Sequence, residues 1–508
     1  MGYLLGHDVG TSGDKAVLLT EAGEVLASAY EPYPTRYPRP LWAEQDPDDW
    51  WRAVGLTTRR VLQEAGARPE EILGLAFSTQ MVNVLALDRQ GDPIGPCINW
   101  LDGRAGEEAR RVMRRLGGEA IFAAIVGATL TGKDALPKML WLKRNTPDVY
   151  ARAVALVDVS SYLLLRATGR LVVEWSVASV TGLFHLKRKI WDESLIRFFG
   201  LDRNKFPDLV RSAEHVGGLT ARAAGDLGLW EGTPVFGGAG DAMTAAIGSG
   251  AVGEGDAHLC LGTSGFVGVV TSRRVTGKRG IPTIQSGDPD KLLLVAETET
   301  SGACLKWAAQ QLYGLEPDAL AFARMDADVE GTEPGADSLL FTPWMYGERT
   351  PVADERIRAA FINLGANHTR AQMTRAVYEG VAYNLRWILE LVGNLFGFRP
   401  EGLRVIGGGA NGRPWVQIVA DVTARRLEVV PHAQQATAIG AGLLAAVGLG
   451  IVPTVEAVKN LVQVSHVVAP NPAHAARYEA LYRAYQGLYP ALKDTYHALN
   501  ALDGRVID

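Results

Sequence analysis

The chain contains the residues Gly-Thr-Ser-Gly twice, at positions 10–13 and 262–265. Glycines let the backbone approach an anion closely and hydroxyls add hydrogen-bond donors, so such a turn can hold phosphate oxygens. One copy alone is equally consistent with a plain hairpin turn. Two copies, separated by about half of the chain, favour two similar halves that hold one triphosphate from both sides.

A single carboxylate lies between the two copies. Asp241 follows the glycine-rich run 237–240 and precedes small residues at helical spacing. A carboxylate there could accept the proton of a hydroxyl that attacks a γ-phosphate, and modest base strength is enough because positioning dominates phosphoryl transfer. Taken alone, such an aspartate is more commonly a helix N-cap. Asp8, just before the first copy, could hold Mg²⁺ through water.

A third glycine-rich segment, 407–412, fits the pattern G-x-G-x-x-G after a predicted strand. A dinucleotide site would also need an acid about 20 residues further on, and Glu428 is near that position. The motif lies late in the chain, however, and a dehydrogenase leaves the repeated turn unexplained. The sequence therefore favours a loop that lies beside adenosine, with Asn411 as a polar contact. A plain connection between strand and helix is the alternative.

Polar residues follow two predicted neighbouring strands, at 78–83 and 100–104. Polar groups beside an aromatic face suit a polyhydroxyl ligand, although ordinary loop polarity would explain either segment alone. Neither H-E-x-x-H nor G-x-S-x-G occurs in the chain. Zinc hydrolase and serine hydrolase functions therefore have no support.

The elements that must position these residues alternate between strand and helix, which predicts an α/β fold. Asp46 and Pro47 predict the start of a helix and Gly66 its end. The segments 82–88 and 94–99 are predicted to form two strands joined by a tight turn. The glycines between 248 and 255 predict part of a hinge between the halves.

Composition limits the classes of partner. The chain has 508 residues, 47% of them hydrophobic, and a net charge of −5, so no basic excess favours nucleic acid. The three cysteines lack metal-site spacing and indicate buried thiols in a reducing, cytoplasmic compartment. The apolar run 440–452 is shorter than the roughly 20 residues of a membrane span, so no membrane partner is expected. The sequence does not decide whether two copies of the chain form a homodimer.

Together these motifs resemble the FGGY family of carbohydrate kinases, in particular its xylulokinase branch. The resemblance covers essentially the whole chain and rests on the joint occurrence of these segments: Trp100–Arg104, Gly240–Asp241, Leu261–Gly265, Gly347–Pro351, Glu379–Ala382 and Gly407–Ala410. It implies two actin-like domains of the ribonuclease H type with a cleft between them. The sugar would bind mainly to an N-terminal domain, residues 1–250, and ATP mainly to a C-terminal domain, residues 251–508.

The resemblance also implies roles for individual residues. Asp241 matches the catalytic base, and Asp8 matches the carboxylate linked to Mg²⁺. The implied nucleotide contacts are Gly10, Thr11, Ser12, Lys15, Gly262, Thr263, Gly302, Gly408, Gly409 and Asn411. The implied sugar contacts are Gln80, Met81, Val82, Trp100, Asp102 and Asp241. The expected reaction is ATP-dependent phosphorylation of a small-molecule sugar, with D-xylulose or a related ketopentose as the first candidate.

Two residues depart from the xylulokinase pattern. Val82 stands where a histidine is usual and Ala242 where an asparagine is usual, and both are expected in the sugar pocket. L-ketoses, gluconate and erythritol therefore stay open as substrates, and glycerol is the least favoured. An actin- or chaperone-like ATPase switch is the alternative from another class. The segment 100–104 and Asp241 argue against it, because a switch needs no sugar pocket.

Overall fold

The computed structural model describes residues 2–126, 130–275 and 280–502. The helices of these ranges are α1 (Pro47–Ala65), α2 (Gly106–Arg115), α3 (Glu119–Val126), α4 (Ala135–Asn145), α5 (Pro147–Arg152), α6 (Val159–Thr168), α7 (Trp175–Ser179), α8 (Glu193–Phe198), α9 (Ala221–Leu227), α10 (Asp241–Ser249), α11 (Gly302–Tyr313), α12 (Ala319–Glu330), α13 (Arg370–Phe396), α14 (Arg413–Thr423), α15 (Ala436–Gly448) and α16 (Ala475–Leu502). The strands are β1 (Tyr3–Val9), β2 (Gly13–Thr20), β3 (Val25–Pro32), β4 (Glu44–Gln45), β5 (Ile72–Thr79), β6 (Leu85–Leu87), β7 (Cys97–Ile98), β8 (Ala155–Val157), β9 (Val172–Glu174), β10 (Phe184–His185), β11 (Ile190–Trp191), β12 (Asp208–Val210), β13 (His215–Gly218), β14 (Pro234–Phe236), β15 (Ala239–Gly240), β16 (Ala257–Leu261), β17 (Gly265–Thr271), β18 (Thr283–Gln285), β19 (Leu292–Thr298), β20 (Leu340–Thr342), β21 (Ala360–Ile362), β22 (Gly402–Ile406), β23 (Arg426–Val429) and β24 (His466–Val468).

The first large sheet has the strand order β13-β14-β5-β1-β2-β3, and β15 also pairs with β5. Strands β1, β2 and β3 form an antiparallel meander, while β5 lies parallel to β1 on its other side. Helix α1 packs on β2 and β3 and buries Trp50 and Val54 in the core of this half. Asp46 caps α1, Pro47 is its first residue and Gly66 ends it in the left-handed conformation, as the sequence predicts.

The second large sheet has the order β18-β19-β17-β16-β22-β23-β24. Strands β16, β17 and β19 form an antiparallel meander, and β22 lies parallel to β16. The two sheets therefore share one plan, in which the first strand of a meander has a parallel neighbour. Both Gly-Thr-Ser-Gly copies occupy equivalent turns of this plan, between β1 and β2 and between β16 and β17. Mixed sheets with alternating helices confirm the predicted α/β class.

Helices α10 and α15 lie where the two sheets meet. Helix α15 packs on β1 and β5 of the first sheet, and α10 contacts β16 and β22 of the second. The two helices cross closely, because a Cβ at Gly440 would lie 2.0 Å from Thr244 O and a Cβ at Gly248 would lie 1.8 Å from Ala436 O. The core around them draws on both halves of the chain. Helix α15 belongs to the second half of the chain but packs on the first sheet, so the two predicted domains share this contact. The predicted domain boundary between residues 250 and 251 stays a prediction.

One local expectation changes, and the predicted hinge stays a prediction. The predicted strand pair at 82–88 and 94–99 is reduced to the short strands β6 and β7, joined through isolated bridges. Val82 has a left-handed backbone, so the strand cannot begin there. In the predicted hinge, Gly248 serves the helix crossing and Gly250 ends α10. In the described ranges, no helix combines the length and the apolar character required to cross a membrane.

Candidate active site

The first Gly-Thr-Ser-Gly turn is held by side chains from β3 and from the segment that follows it. They donate hydrogen bonds to the carbonyl oxygens of the turn: Tyr33 to Gly10, Gln45 to Thr11 at 2.7 Å, and Tyr30 to Ser12 at 2.9 Å. Among the described residues, the N–H groups of Thr11 and Ser12 donate to no protein acceptor. The turn therefore has its acceptors engaged and its donors available, as an anion site requires.

The second turn is held by the N-terminus of α11. Gly302 N–H donates to Gly262 O at 2.8 Å, and the next residue's N–H donates to Thr263 O at 3.0 Å. A Cβ at Gly302 would lie 2.7 Å from Gly262 O, so packing alone explains this glycine. The exposed Lys306 lies one helical turn further on and donates to Thr263 Oγ1 at 3.4 Å. Sequence reasoning missed Lys306, although its spacing from Gly302 places both on one face of the helix.

Asp241 is the first residue of α10, and Gly240 is the N-cap, so the N-cap interpretation of Asp241 is wrong. The residue as a whole is partly exposed, and its carboxylate accepts the N–H of Ala242 at 2.8 Å. Burial raises the pKa of Asp241 to about 7, and the carboxylates of Asp8 and Glu297 act in the same direction. Asp8 belongs to the first sheet and Glu297 to the second, so Asp241 lies where the sheets meet. A carboxyl with this pKa can accept a proton near neutral pH.

Asp8 is the next-to-last residue of β1, beside the first turn. Its oxygens accept hydrogen bonds from Ser78 at 3.0 Å and from Thr437 of α15 at 2.6 Å, and Lys15 Nζ lies 3.7 Å away. No group of three or more His, Cys, Asp or Glu side chains able to hold a metal occurs in the described ranges. Mg²⁺ that keeps waters and binds substrate phosphates needs only one or two carboxylates. The oxygen donors of Asp8 and Asp241 fit that requirement.

Gln80, a predicted sugar contact, is only 1% exposed. Its amide nitrogen donates to Gln45 at 2.6 Å, and its amide oxygen accepts from Asn99 at 3.0 Å. Gln45 in turn donates to Thr11 O of the first Gly-Thr-Ser-Gly turn. Both ends of the Gln80 amide are thus engaged within the protein. These contacts favour a positioning role for Gln80, linking the predicted sugar segments to that turn, and the direct sugar contact stays a prediction.

Met81 and Val82 follow Gln80 and are partly exposed. Met81 packs on Gly240, where a Cβ would lie 2.1 Å from the Met81 sulfur, so its side chain lies next to the start of α10. Val82 has φ +65°, a conformation that costs a β-branched residue about 1–3 kcal/mol. A cavity bordered by Val82 and Asp158 measures about 20 Å³ and has room for about one water, so it cannot contain the sugar.

Trp100 and Asp102 take different positions. The indole N–H of Trp100 donates to Thr11 Oγ1 at 2.8 Å, and its ring is partly exposed. Asp102 is fully buried and accepts from Ala43 N at 2.6 Å and from the Arg104 guanidinium at 2.7 Å. The structure therefore favours Asp102 as the residue that positions Arg104, rather than as the sugar contact predicted.

The glycine-rich loop after β22 has separate reasons for its glycines. Gly407 has φ +90°, and a Cβ there would lie 2.7 Å from Leu261 O. A Cβ at Gly409 would lie 2.3 Å from the Trp415 ring. Packing thus explains these two positions. Gly408 and Asn411 are exposed, and a Cβ at Gly408 would make no close contact, so these two remain available to a ligand.

Glu428 does not support the dinucleotide alternative for this loop. Its carboxylate binds Arg404 at 2.9 Å and also Arg426, so both of its oxygens are engaged in ion pairs. A ribose site of that kind needs a free acid at this position.

Comparison with known proteins decides the family. Models of the FGGY family of carbohydrate kinases match the chain, the N-terminal domain over residues 3–248 and the C-terminal domain over residues 257–449. The chain belongs to the FGGY family of carbohydrate kinases.

It is 30% identical over 501 residues to a xylulose kinase of Lactococcus lactis, covering 98% of this chain and 99% of that protein. It is 27% identical over 501 residues to a gluconokinase of Bacillus subtilis, covering 97% of each. A xylulose kinase structure from Rhodospirillum rubrum matches with a TM-score of 0.85 at 28% identity, covering 97% of this chain and 100% of that chain.

These matches confirm the family that the motifs predicted. They also confirm the predicted α/β fold with two actin-like domains. The matches also establish sugar kinase as the class of enzyme. The roles predicted for individual residues stay predictions.

The two departures from the xylulokinase pattern differ in position. Ala242 is 6% exposed and its methyl packs in an apolar cluster with Met243 and Val252. Val82 is partly exposed. Val82 is therefore the more accessible of the two departures.

Proposed function

We propose that this FGGY kinase transfers the γ-phosphoryl group of ATP to a hydroxyl of a ketopentose, with D-xylulose as the first candidate. The position and the pKa of Asp241 are the main support for a hydroxyl acceptor. The match to xylulose kinases over nearly the whole chain supports a ketopentose. A gluconokinase matches over a similar length, so sugar acids are the second class to test.

In the proposed reaction, the carboxylate of Asp241 accepts the proton of the sugar hydroxyl. The hydroxyl oxygen forms its bond to the γ-phosphorus while the bond from that phosphorus to the bridging oxygen of ATP breaks. ADP leaves with the electron pair of that bond, and Asp241 then releases its proton to solvent. Most of the acceleration comes from alignment and charge stabilisation, so a carboxylate with a pKa near 7 is a sufficient base.

The two Gly-Thr-Ser-Gly turns are proposed to bind the phosphates from opposite sheets. The N–H groups of Thr11 and Ser12 would donate to phosphate oxygens from the first sheet. Thr263, with Lys306 beside it, would do so from the second. Asp8 would hold Mg²⁺ through water, and the ion would supply positive charge to the phosphates when bound.

The remaining contacts divide between the two halves of the chain. Met81, Val82 and Trp100 belong to the first half and would line the sugar. Gly408 and Asn411 belong to the second half and would lie beside adenosine. This division follows the proposed domains, residues 1–250 and 251–508.

Substrate choice is proposed to depend on Val82. A buried sugar hydroxyl that finds no partner there would cost about 1–3 kcal/mol, or roughly 5- to 150-fold in kcat/KM. Val82→His supplies a hydrogen-bonding ring, and histidine tolerates positive φ better than valine. We therefore expect Val82→His to raise kcat/KM for D-xylulose without lowering the melting temperature.

The test is ADP release by wild type and Val82→His with D-xylulose, other ketopentoses, their L-isomers, gluconate and four- to six-carbon polyols. We expect wild type to prefer a substrate with fewer hydroxyls near Val82, or to use D-xylulose weakly. If wild type uses D-xylulose best and Val82→His lowers that activity, the interpretation of Val82 is wrong. If no ketopentose is used and gluconate is, the ketopentose proposal fails while the sugar kinase class stands.

A further inference from the structure

Lys138 of α4 is a fully buried lysine whose ammonium binds two carbonyl oxygens. Its Nζ donates to Val82 O at 3.0 Å and to Asn99 O at 2.8 Å. Within the described ranges, no carboxylate oxygen lies within 4.0 Å of Lys138 Nζ, which is the limit for an ion pair. Burial lowers the pKa of Lys138 to about 8. Such a charge is costly to bury, so its contacts need an explanation.

One of those two carbonyls lies within the segment 78–83 and the other lies just before the segment 100–104, and both segments are proposed to line the sugar. Val82 O belongs to the turn that carries Met81, and Asn99 O directly precedes Trp100. Lys138 thus joins the two segments with one side chain.

Asp158, just before α6, holds the same turn at its next peptide. Its carboxylate accepts Asn83 N–H at 3.0 Å. The side chain of Asn83 then donates to Met81 O at 3.1 Å and accepts from Trp100 N at 2.9 Å. Polar groups on both sides of Val82 are therefore fixed by buried partners.

The conformation that these contacts hold is unfavourable by itself. Val82 is a β-branched residue at φ +65°, and such a conformation persists only where surrounding contacts over-determine it. Backbone strain of this kind is concentrated at ligand sites.

We propose that Lys138 and Asp158 form a clamp that holds the left-handed turn at Val82 and thereby sets the affinity of the site for its sugar. The inference rests on the proposed function, because Met81, Val82 and Trp100 must face the sugar. Lys138 and Asp158 are positioning residues, which act through the turn rather than by touching substrate. Loss of the clamp raises KM for the sugar and leaves KM for ATP in place.

Lys138→Met keeps most of the side-chain volume and removes the ammonium. The matched control is Lys205→Met, since Lys205 is also buried, also donates to a carbonyl, that of Ala153, and lies 4.9 Å over the Tyr150 ring. We expect both variants to lower the melting temperature. Only Lys138→Met should raise the sugar KM, by tenfold or more, with ATP KM within twofold. Equal effects on sugar KM from both variants, or none from Lys138→Met, overturn the clamp.

Asp158 gives a second, independent pair of variants. Asp158→Asn keeps an oxygen for Asn83 N–H, and Asp158→Leu removes it. We expect the leucine variant to raise the sugar KM at least fivefold and the asparagine variant to stay within twofold of wild type. This pair decides the question if Lys138→Met fails to fold, and equal sugar KM values in the two variants would overturn the clamp.

A double-mutant cycle in melting temperature needs no activity. Asparagine tolerates the left-handed conformation, so in a Val82→Asn background there is less strain for the clamp to hold. Lys138→Met should therefore lower the melting temperature less in that background than in wild type, and additive effects contradict the clamp. Wild type without any sugar-dependent ADP release would instead refute the proposed function, whatever the cycle shows.

Discussion

Replacing Asp241 by asparagine tests the proposed base while preserving the local geometry. The carboxylate of Asp241 accepts one hydrogen bond, from Ala242 N–H at 2.8 Å, and the amide oxygen of asparagine can accept the same bond. Loss of a general base lowers the rate by about 10²- to 10⁴-fold, which is about 3–5 kcal/mol of activation free energy. We expect a fall of that size in kcat, with ATP affinity unchanged.

The pH dependence follows from the raised pKa of Asp241, about 7, which burial causes. The base must be ionised to accept a proton. The rate of wild type should therefore fall about tenfold per pH unit below pH 7, and the residual rate of Asp241→Asn should lack this dependence.

The same shift predicts the effect on stability. The pKa of Asp241 is 3.8 in the unfolded chain and about 7 in the folded one, so between those values the folded state binds more protons. The contribution of Asp241 to the free energy of unfolding is fully present below pH 3.8 and is lost as pH rises through 7. The loss is at most about 4 kcal/mol and less in practice, because the residue as a whole is partly exposed.

Asp241→Asn removes this penalty, so the variant should melt at or above the wild-type temperature at pH 8. Steady-state kinetics, nucleotide titration and thermal melts check the three parts. Turnover within a few-fold of wild type at unchanged ATP affinity would refute the assignment of Asp241 as the base.

Three further predictions concern the phosphate turns, the helix crossing and closure. Thr11→Ala and Thr263→Ala should each weaken productive ATP binding by about 1.5–3 kcal/mol, and an unchanged ATP KM and kcat in either variant would remove that turn from the site. Gly440→Ala puts a Cβ 2.0 Å from Thr244 O and should cost about 1–3 kcal/mol by overpacking. Gly487→Ala, where nothing lies within 4 Å, is its control in thermal melts, and equal melting temperatures would contradict the close crossing. Sugar should reduce the radius of gyration in small-angle scattering as the domains close, and identical curves with and without sugar would refute closure.

Features that depend on short stretches of chain could be predicted from sequence. The caps of α1 follow from Asp46, Pro47 and Gly66, whose local conformational preferences decide the helix ends. The repeated Gly-Thr-Ser-Gly predicted two similar halves, and both copies occupy equivalent hairpin turns.

Features that depend on distant side chains could not be predicted. Gln45 binds Gln80, 35 residues away, and Asp102 binds Ala43 N–H, 59 residues away. No local pattern shows that these polar groups are already engaged, so the predicted sugar contacts of Gln80 and Asp102 could not take these partners into account. Lys138 was missed for the same reason, because its carbonyl partners become neighbours only in the fold.

The stoichiometry of the reaction tests the central claim most directly. Wild type, ATP and Mg²⁺ are incubated with and without a sugar that supports turnover, and ADP and sugar phosphate are both quantified, by coupled assay and by mass spectrometry. A sugar kinase that uses Asp241 as its base should release one ADP per sugar phosphate, release little ADP without sugar, and lose both products in Asp241→Asn. ADP release that is equally fast without sugar, with no phosphorylated sugar formed, would contradict the proposed function and favour an ATPase switch.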